Sequence, residues 1–178
     1  MLAKHYPELF AEEPELARKA NAFAAKCFEL VSFLVDVLKV KQLNARYDGE
    51  VAYHDSCSGL RELGIAAQPR KLLGTVEGLK LVELSGADVC CGFGGTFAVK
   101  YGELSDAIVA QKTANILATG APTLLAGDLG CLMNMAGKLQ RQGSAVSVRH
   151  VAEVLAGMTD EPAIGAPQAA AASGAARH

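Results

Sequence analysis

Short apolar strands alternate with helical stretches through most of this chain, and no other feature narrows its fold as far. Val51 to His54, Lys80 to Leu84, Thr123 to Ala126 and Val146 to Val148 read as strands bounded by turn residues. Between them run a short helix from Ser58 or Gly59 to about Gly64 and another that begins at Pro69. A longer helix carries Ile108, Lys112, Ile116 and Leu117, with Ser105 as its N-cap, Gly120 as its left-handed terminator and Pro122 just beyond. Cys131 opens a further helix that stops near Gly143, and His150 to Ala156 reads as the last. Strands separated by helices of about ten to fifteen residues are joined by right-handed βαβ crossovers, which put them in a parallel sheet. The expected class is α/β: an open, doubly wound, mainly parallel sheet with flanking helices.

A long amphipathic helix is expected ahead of this unit. From Pro14 to Lys39 the apolar residues Leu16, Ala20, Phe23, Cys27, Leu30, Leu34 and Leu38 recur at spacings of three and four. Cys27 lies on that stripe and reads as a small buried hydrophobe outside any site. From Thr159 onward Pro162, Gly165, Pro167 and the run Ala169 to Ala172 give a low-complexity tail that reads as disordered. The expected organisation is a linker and long helix over 1–49, the α/β domain over 50–158 and the tail over 159–178.

With 178 residues, 51% of them hydrophobic and 20% charged, the chain can bury one compact core without disulfide staples. A net charge of -2 with no cluster of Lys and Arg provides no field for nucleic acid. The most apolar window, Phe28 to Val40, is interrupted by Glu29, Ser32, Asp36 and Lys39, and is too short to span a bilayer. Met1 to Glu8 lacks the marks of an export signal, so a cytoplasmic location is expected. In that reducing setting five cysteines, two of them adjacent, point to metal or thiol chemistry ahead of a disulfide framework.

Cys57, the adjacent pair Cys90 and Cys91, and Cys131 all follow predicted strands, so they are expected at one edge of the sheet. In open α/β sheets that edge is where ligands bind. Gly59, Gly92, Gly94, Gly95, Gly127 and Gly130 surround the thiols and let backbone N–H groups approach a bound group closely. Thiolates select iron–sulfur clusters, zinc or Cu(I), and helix N-termini after Cys57 and at Cys131 favour the deprotonated form. His54 and Asp55 could act as ligands, as hydrogen-bond supports or as proton donors. Asp128 reads as a loop or capping residue, Lys100 and Tyr101 as surface or helix-start residues, and His150 as the head of a helix. Gly92 to Gly95 has no following Lys-Ser or Lys-Thr and no nucleotide-loop spacing.

The motifs His54-Asp55-Ser56-Cys57, Cys90-Cys91-Gly92-Phe93-Gly94-Gly95 and Gly127-Asp128-Leu129-Gly130-Cys131-Leu132-Met133-Asn134 resemble the cysteine-rich CCG domain. That domain occurs in heterodisulfide reductase and in the iron–sulfur subunits of glycolate oxidase and of lactate utilisation, the last being the most similar. The resemblance covers about Val51 to Gly157. More loosely, His5 to Phe10 is similar to the linker between two copies of the domain, so that 50–158 would be the second copy.

The resemblance implies that Cys57, Cys90, Cys91 and Cys131 are metal or cluster ligands, holding an iron–sulfur cluster of the [4Fe-4S] type or, as in some relatives, zinc. The family's Cys-x-x-Cys places a final thiolate where this chain has Asn134, an amide that is a poor donor to iron; a four-thiolate cluster or a tetrahedral zinc site fits better than a five-thiolate cluster. It also implies an electron-transfer subunit of a cytoplasmic complex that oxidises L-lactate or a glycolate-like 2-hydroxy acid. No flavin or nicotinamide fingerprint is present, so hydride chemistry is expected in partner subunits, and self-association of the chain alone is expected. The rival readings are a structural zinc module and a metal-free thiol redox protein using Cys90 and Cys91.

Overall fold

The computed structural model describes residues 1–166. Helices α1 (His5–Leu9), α2 (Pro14–Ala24) and α3 (Leu30–Ser32), the last continued by a π-helical turn Phe33–Val37, precede strand β1 (Arg46–His54). A second π-helical turn (Ser58–Glu62), helix α4 (Ala67–Leu73) and strand β2 (Glu77–Val82) follow. Then come α5 (Thr96–Lys100), α6 (Gly102–Ala118), β3 (Thr123–Ala126), α7 (Leu129–Arg141), β4 (Ser147–His150) and α8 (Val151–Leu155). The strands form one sheet in the order β2-β1-β3-β4, every pair parallel, as the βαβ pattern requires.

Side chains alternate across this sheet, and each face is covered by helices. Ala52, Leu124, Ala126 and Val148 face α6 and α7 and pack with Val109, Ile116, Leu132, Met135 and Leu139. Val51, Tyr53 and Leu125 pack on the other side with Leu72 and Leu73 of α4 and Val151, Val154 and Leu155 of α8. The doubly wound class therefore holds. Burial of each of these large aliphatic side chains stabilises the fold by about 1.5–3 kcal/mol. The chain leaves β1 for β2 on one side and returns to β3 on the other, so the strand order reverses between β1 and β3. Among the described residues no helix is long and apolar enough to cross a membrane.

The expected single helix from Pro14 to Lys39 is broken. Helix α2 ends at Ala24, and Glu29 starts a new helix by accepting the Ser32 N–H on its side chain at 2.9 Å. This restart changes the phase of the buried face: Val31 and Val35 enter the core, while Leu16, Phe23, Leu30 and Leu38 of the expected stripe stay exposed. Spacings of three and four persist across such a break, so periodicity alone cannot reveal it. Cys27, expected on the buried stripe, is half-buried in the interruption, its thiol donating to the Phe23 carbonyl at 3.5 Å. Ser105, expected as an N-cap, lies a turn inside α6 and is buried. Of the tail expected from Thr159, residues up to Ala166 are described; the Ile164 N–H donates to the Val148 carbonyl at 2.9 Å and its side chain packs on the α6–α7 face. The alanine run lies outside the described residues.

Candidate metal centre

The cysteine segments meet at the carboxyl edge of the sheet, where the strand order reverses. Cys57 follows β1, Cys90 and Cys91 lie in the loop after β2, and Cys131 is the third residue of α7, just past β3. His54 closes β1 in register with Ala126, the last residue of β3. Its side chain falls on the same face as Ala52, beneath α6 and α7, because alternate residues of a strand share a face.

Donor atoms of His54, Cys91 and Cys131 all lie within 4.8 Å of one another, and all three residues are buried. Cys90 is half-buried, its sulfur accepting the Gly92 N–H at 3.3 Å, and Cys57 is exposed. Both stand outside that closest group. Histidine is the donor on which residue type and spacing left the choice open.

Long-range hydrogen bonds hold the converging loops. Asp128 caps α7, as its position before the helix led us to expect: one carboxylate oxygen accepts the Cys131 N–H at 3.0 Å and the other the Ser58 hydroxyl at 3.1 Å. One side chain thus joins the segment bearing Cys57 to the helix bearing Cys131. The Ser105 hydroxyl donates to the Gly92 carbonyl at 2.7 Å, and the Asn134 amide to the Cys91 carbonyl at 2.9 Å. Asn134 therefore tethers the cysteine loop. Gly92 has φ +83°, and a Cβ there would stand 2.7 Å from the Ser105 carbonyl. A Cβ on Gly130 would strike the Phe93 ring, which packs against that turn.

Lys112, which the sequence places on α6 without assigning it a role, is wholly buried. Its ammonium donates to the Gly86 carbonyl at 2.5 Å and to the Ala87 carbonyl at 3.3 Å. Burial lowers its pKa from the ordinary lysine value, opposed by negative charge on Cys91 and Asp88. A positive end in the loop beneath the thiols offsets the charge they gather. Asp55 is drawn elsewhere: Arg70 holds it in a two-pronged ion pair at 2.8 and 2.9 Å and lies over the Tyr53 ring, 5.7 Å from its centre.

The buried thiols divide their protons unequally. Cys91 is held well below the ordinary thiol range, chiefly by the Cys131 S–H, against burial, with help from the Phe93 N–H. Cys131 is pushed up by the same pairing, by burial and by charge on Cys91, Asp128 and Cys57. Two sulfurs and an imidazole in a dry pocket form a soft donor set suited to a thiophilic metal.

The family of the CCG cysteine-rich domain matches residues 51–136. Lactate utilization protein A of Lysinibacillus sphaericus is 49% identical over 152 residues, covering 85% of this chain and 67% of that protein. The chain belongs to the CCG cysteine-rich domain family. Other CCG relatives are lactate utilization protein A of an Exiguobacterium, 47% identical over 87% of this chain and 63% of its own length, and that of a Geobacillus, 47% over 86% and 65%. The chain spans about two thirds of the length of these CCG relatives.

Proposed function

We propose that this chain is an iron–sulfur electron-transfer subunit, or the cluster-holding part of one, in a cytoplasmic complex that oxidises L-lactate or a similar 2-hydroxy acid. The observation that carries this reading is the meeting of Cys91 and Cys131 in a buried pocket at the sheet edge, in a chain whose relatives are named for lactate utilisation. In this reading Cys57, Cys90, Cys91 and Cys131 hold the cluster, of the [4Fe-4S] type. A cluster of that kind supplies reversible one-electron chemistry.

The chain's own contribution is to hold and insulate. Buried Cys91 and Cys131 keep water from the sulfurs, Gly92 and Gly130 allow close backbone and ring packing, and Lys112 offsets thiolate charge from below. Hydride removal from the hydroxy acid falls to other subunits of the complex, since the sequence carries no flavin or nicotinamide fingerprint.

A structural zinc module is the second reading, favoured by the presence of His54 beside the two thiols, a donor mixture common in zinc sites. Iron, sulfide and zinc content of anaerobically purified chain, with its visible spectrum before and after dithionite, separates the two. The electron-transfer reading expects iron and sulfide together with a brown colour that bleaches on reduction and is lost in Cys91→Ser. Stoichiometric zinc with no iron-binding capacity on reconstitution would overturn it.

A further inference from the structure

The imidazole of His54 is wholly buried, yet only one of its ring nitrogens has a hydrogen-bond partner. Nδ1 lies 3.0 Å from the Ala87 carbonyl oxygen. A carbonyl only accepts, so Nδ1 carries the proton in that bond. In the neutral ring Nε2 then holds the lone pair. Nε2 is the one buried side-chain nitrogen or oxygen among the described residues without a hydrogen-bond partner, and the His54 donor set includes the sulfurs of Cys91 and Cys131.

An unpartnered polar atom in a dry interior is costly, on the order of 1–3 kcal/mol. The fold nevertheless pins the ring. His54 ends a central strand, at 1% exposure, and the Ala87 carbonyl that orients it also accepts the Asp55 N–H and the Lys112 ammonium. Histidines that bind metals are commonly oriented in this way, with the other ring N–H donated to a backbone carbonyl. Asn134 donates its amide N–H to the Cys91 carbonyl and offers a metal only an amide oxygen, a poor donor where the resemblance puts a thiolate.

We infer that His54 Nε2 is a direct donor to the metal group, making the centre a mixed imidazole–thiolate site with His54, Cys91 and Cys131 as its buried side. This inference rests on the metal-centre reading above and assigns a donor that the cysteine pattern does not include. Nitrogen in place of sulfur lowers the negative charge delivered to a cluster, which makes its reduction potential more positive.

The full chain, reconstituted anaerobically with Fe(II) and sulfide and separately with Zn²⁺, tests the donor by metal K-edge X-ray absorption. The expected result is the outer-shell scattering of one imidazole beside sulfur donors, lost in His54→Cys. In the reduced iron form, the directly bound ¹⁴N coupling seen by pulsed EPR is expected to vanish in the same variant, with the midpoint potential moving negative. Wild-type absorption with sulfur donors alone in both metal forms overturns the assignment whether or not the variant folds, and leaves the thiolate metal centre standing. Uptake of neither metal overturns the metal-centre reading, and this donor with it.

Discussion

His54 and Lys112 meet on one acceptor: the Ala87 carbonyl lies 3.0 Å from the histidine Nδ1 and 3.3 Å from the lysine ammonium. A strand end, a helix and the loop before the cysteine pair are thereby joined under the site. The lysine is fully buried and makes its shorter bond to the adjacent Gly86 carbonyl, so its charge is matched by backbone dipoles and by the thiolates nearby.

Lys112→Met keeps the aliphatic length and removes the donor. Two carbonyls lose a partner, and the variant is expected to unfold about 1–3 kcal/mol more easily in urea. Its zinc affinity, measured by chelator competition, is expected to rise, because zinc uptake that expels one proton adds net positive charge to a site from which the ammonium has been removed. Unchanged affinity in a folded variant would show that the ammonium serves the fold alone.

Metal uptake is expected to weaken as pH falls. Cys91 sits below the ordinary thiol range and is already ionised near neutrality, whereas Cys131 is raised and retains its proton. A metal that binds both sulfurs must expel that proton, so binding releases acid and the affinity rises with pH, by roughly tenfold per pH unit for each proton released. Zinc titration in buffers of different ionisation enthalpy, with proton release counted calorimetrically, checks the sign.

Two glycines of the cysteine loop separate crowding from backbone strain. Gly92 and Gly95 both have positive φ, but a Cβ on Gly92 meets the Ser105 carbonyl while one on Gly95 meets nothing within 4 Å. Gly95, at φ 60° and ψ -113°, lies outside the left-handed helical well, and Gly95→Ala is expected to cost about 1–3 kcal/mol from its backbone conformation alone. Gly92→Ala adds displacement of α6 from the loop, for a total of about 2–4 kcal/mol. Chemical denaturation of the metal-free chain measures the difference.

Asn134→Ala removes the tether between α7 and the Cys91 carbonyl. The expected loss is about 1 kcal/mol of stability. A several-fold lower zinc affinity should accompany it, since the cysteine loop is no longer held against the helix. Asn134→Asp provides a contrast: it keeps the size but cannot donate to the carbonyl, and is expected to be at least as damaging in both measurements.

Alternation of apolar segments made the sheet legible. Thr123–Ala126 is the strand its sequence predicts, and Gly120 ends the preceding helix with φ +70°. These features depend on neighbours within one or two turns, which is why local pattern captures them. Asp128 was likewise readable as a cap, because a cap needs only the first turn of its own helix. The break in the N-terminal helix is invisible to local pattern for the same reason, since Glu29 restarts the helix without disturbing the spacing of apolar residues.

By itself, the sequence determined that this chain forms a parallel α/β layer and that its cysteine segments follow its strands, since strand and helix periods are local properties of the chain. Only the tertiary structure decided which donors come within reach of one another, burying His54 with Cys91 and Cys131 while leaving Cys57 exposed. It also set Lys112 under the loop and turned Asn134 into a tether. Distances between side chains far apart in sequence are fixed by how helices pack across the sheet and by the long-range hydrogen bonds that close the loops, and no short stretch of residues contains that information.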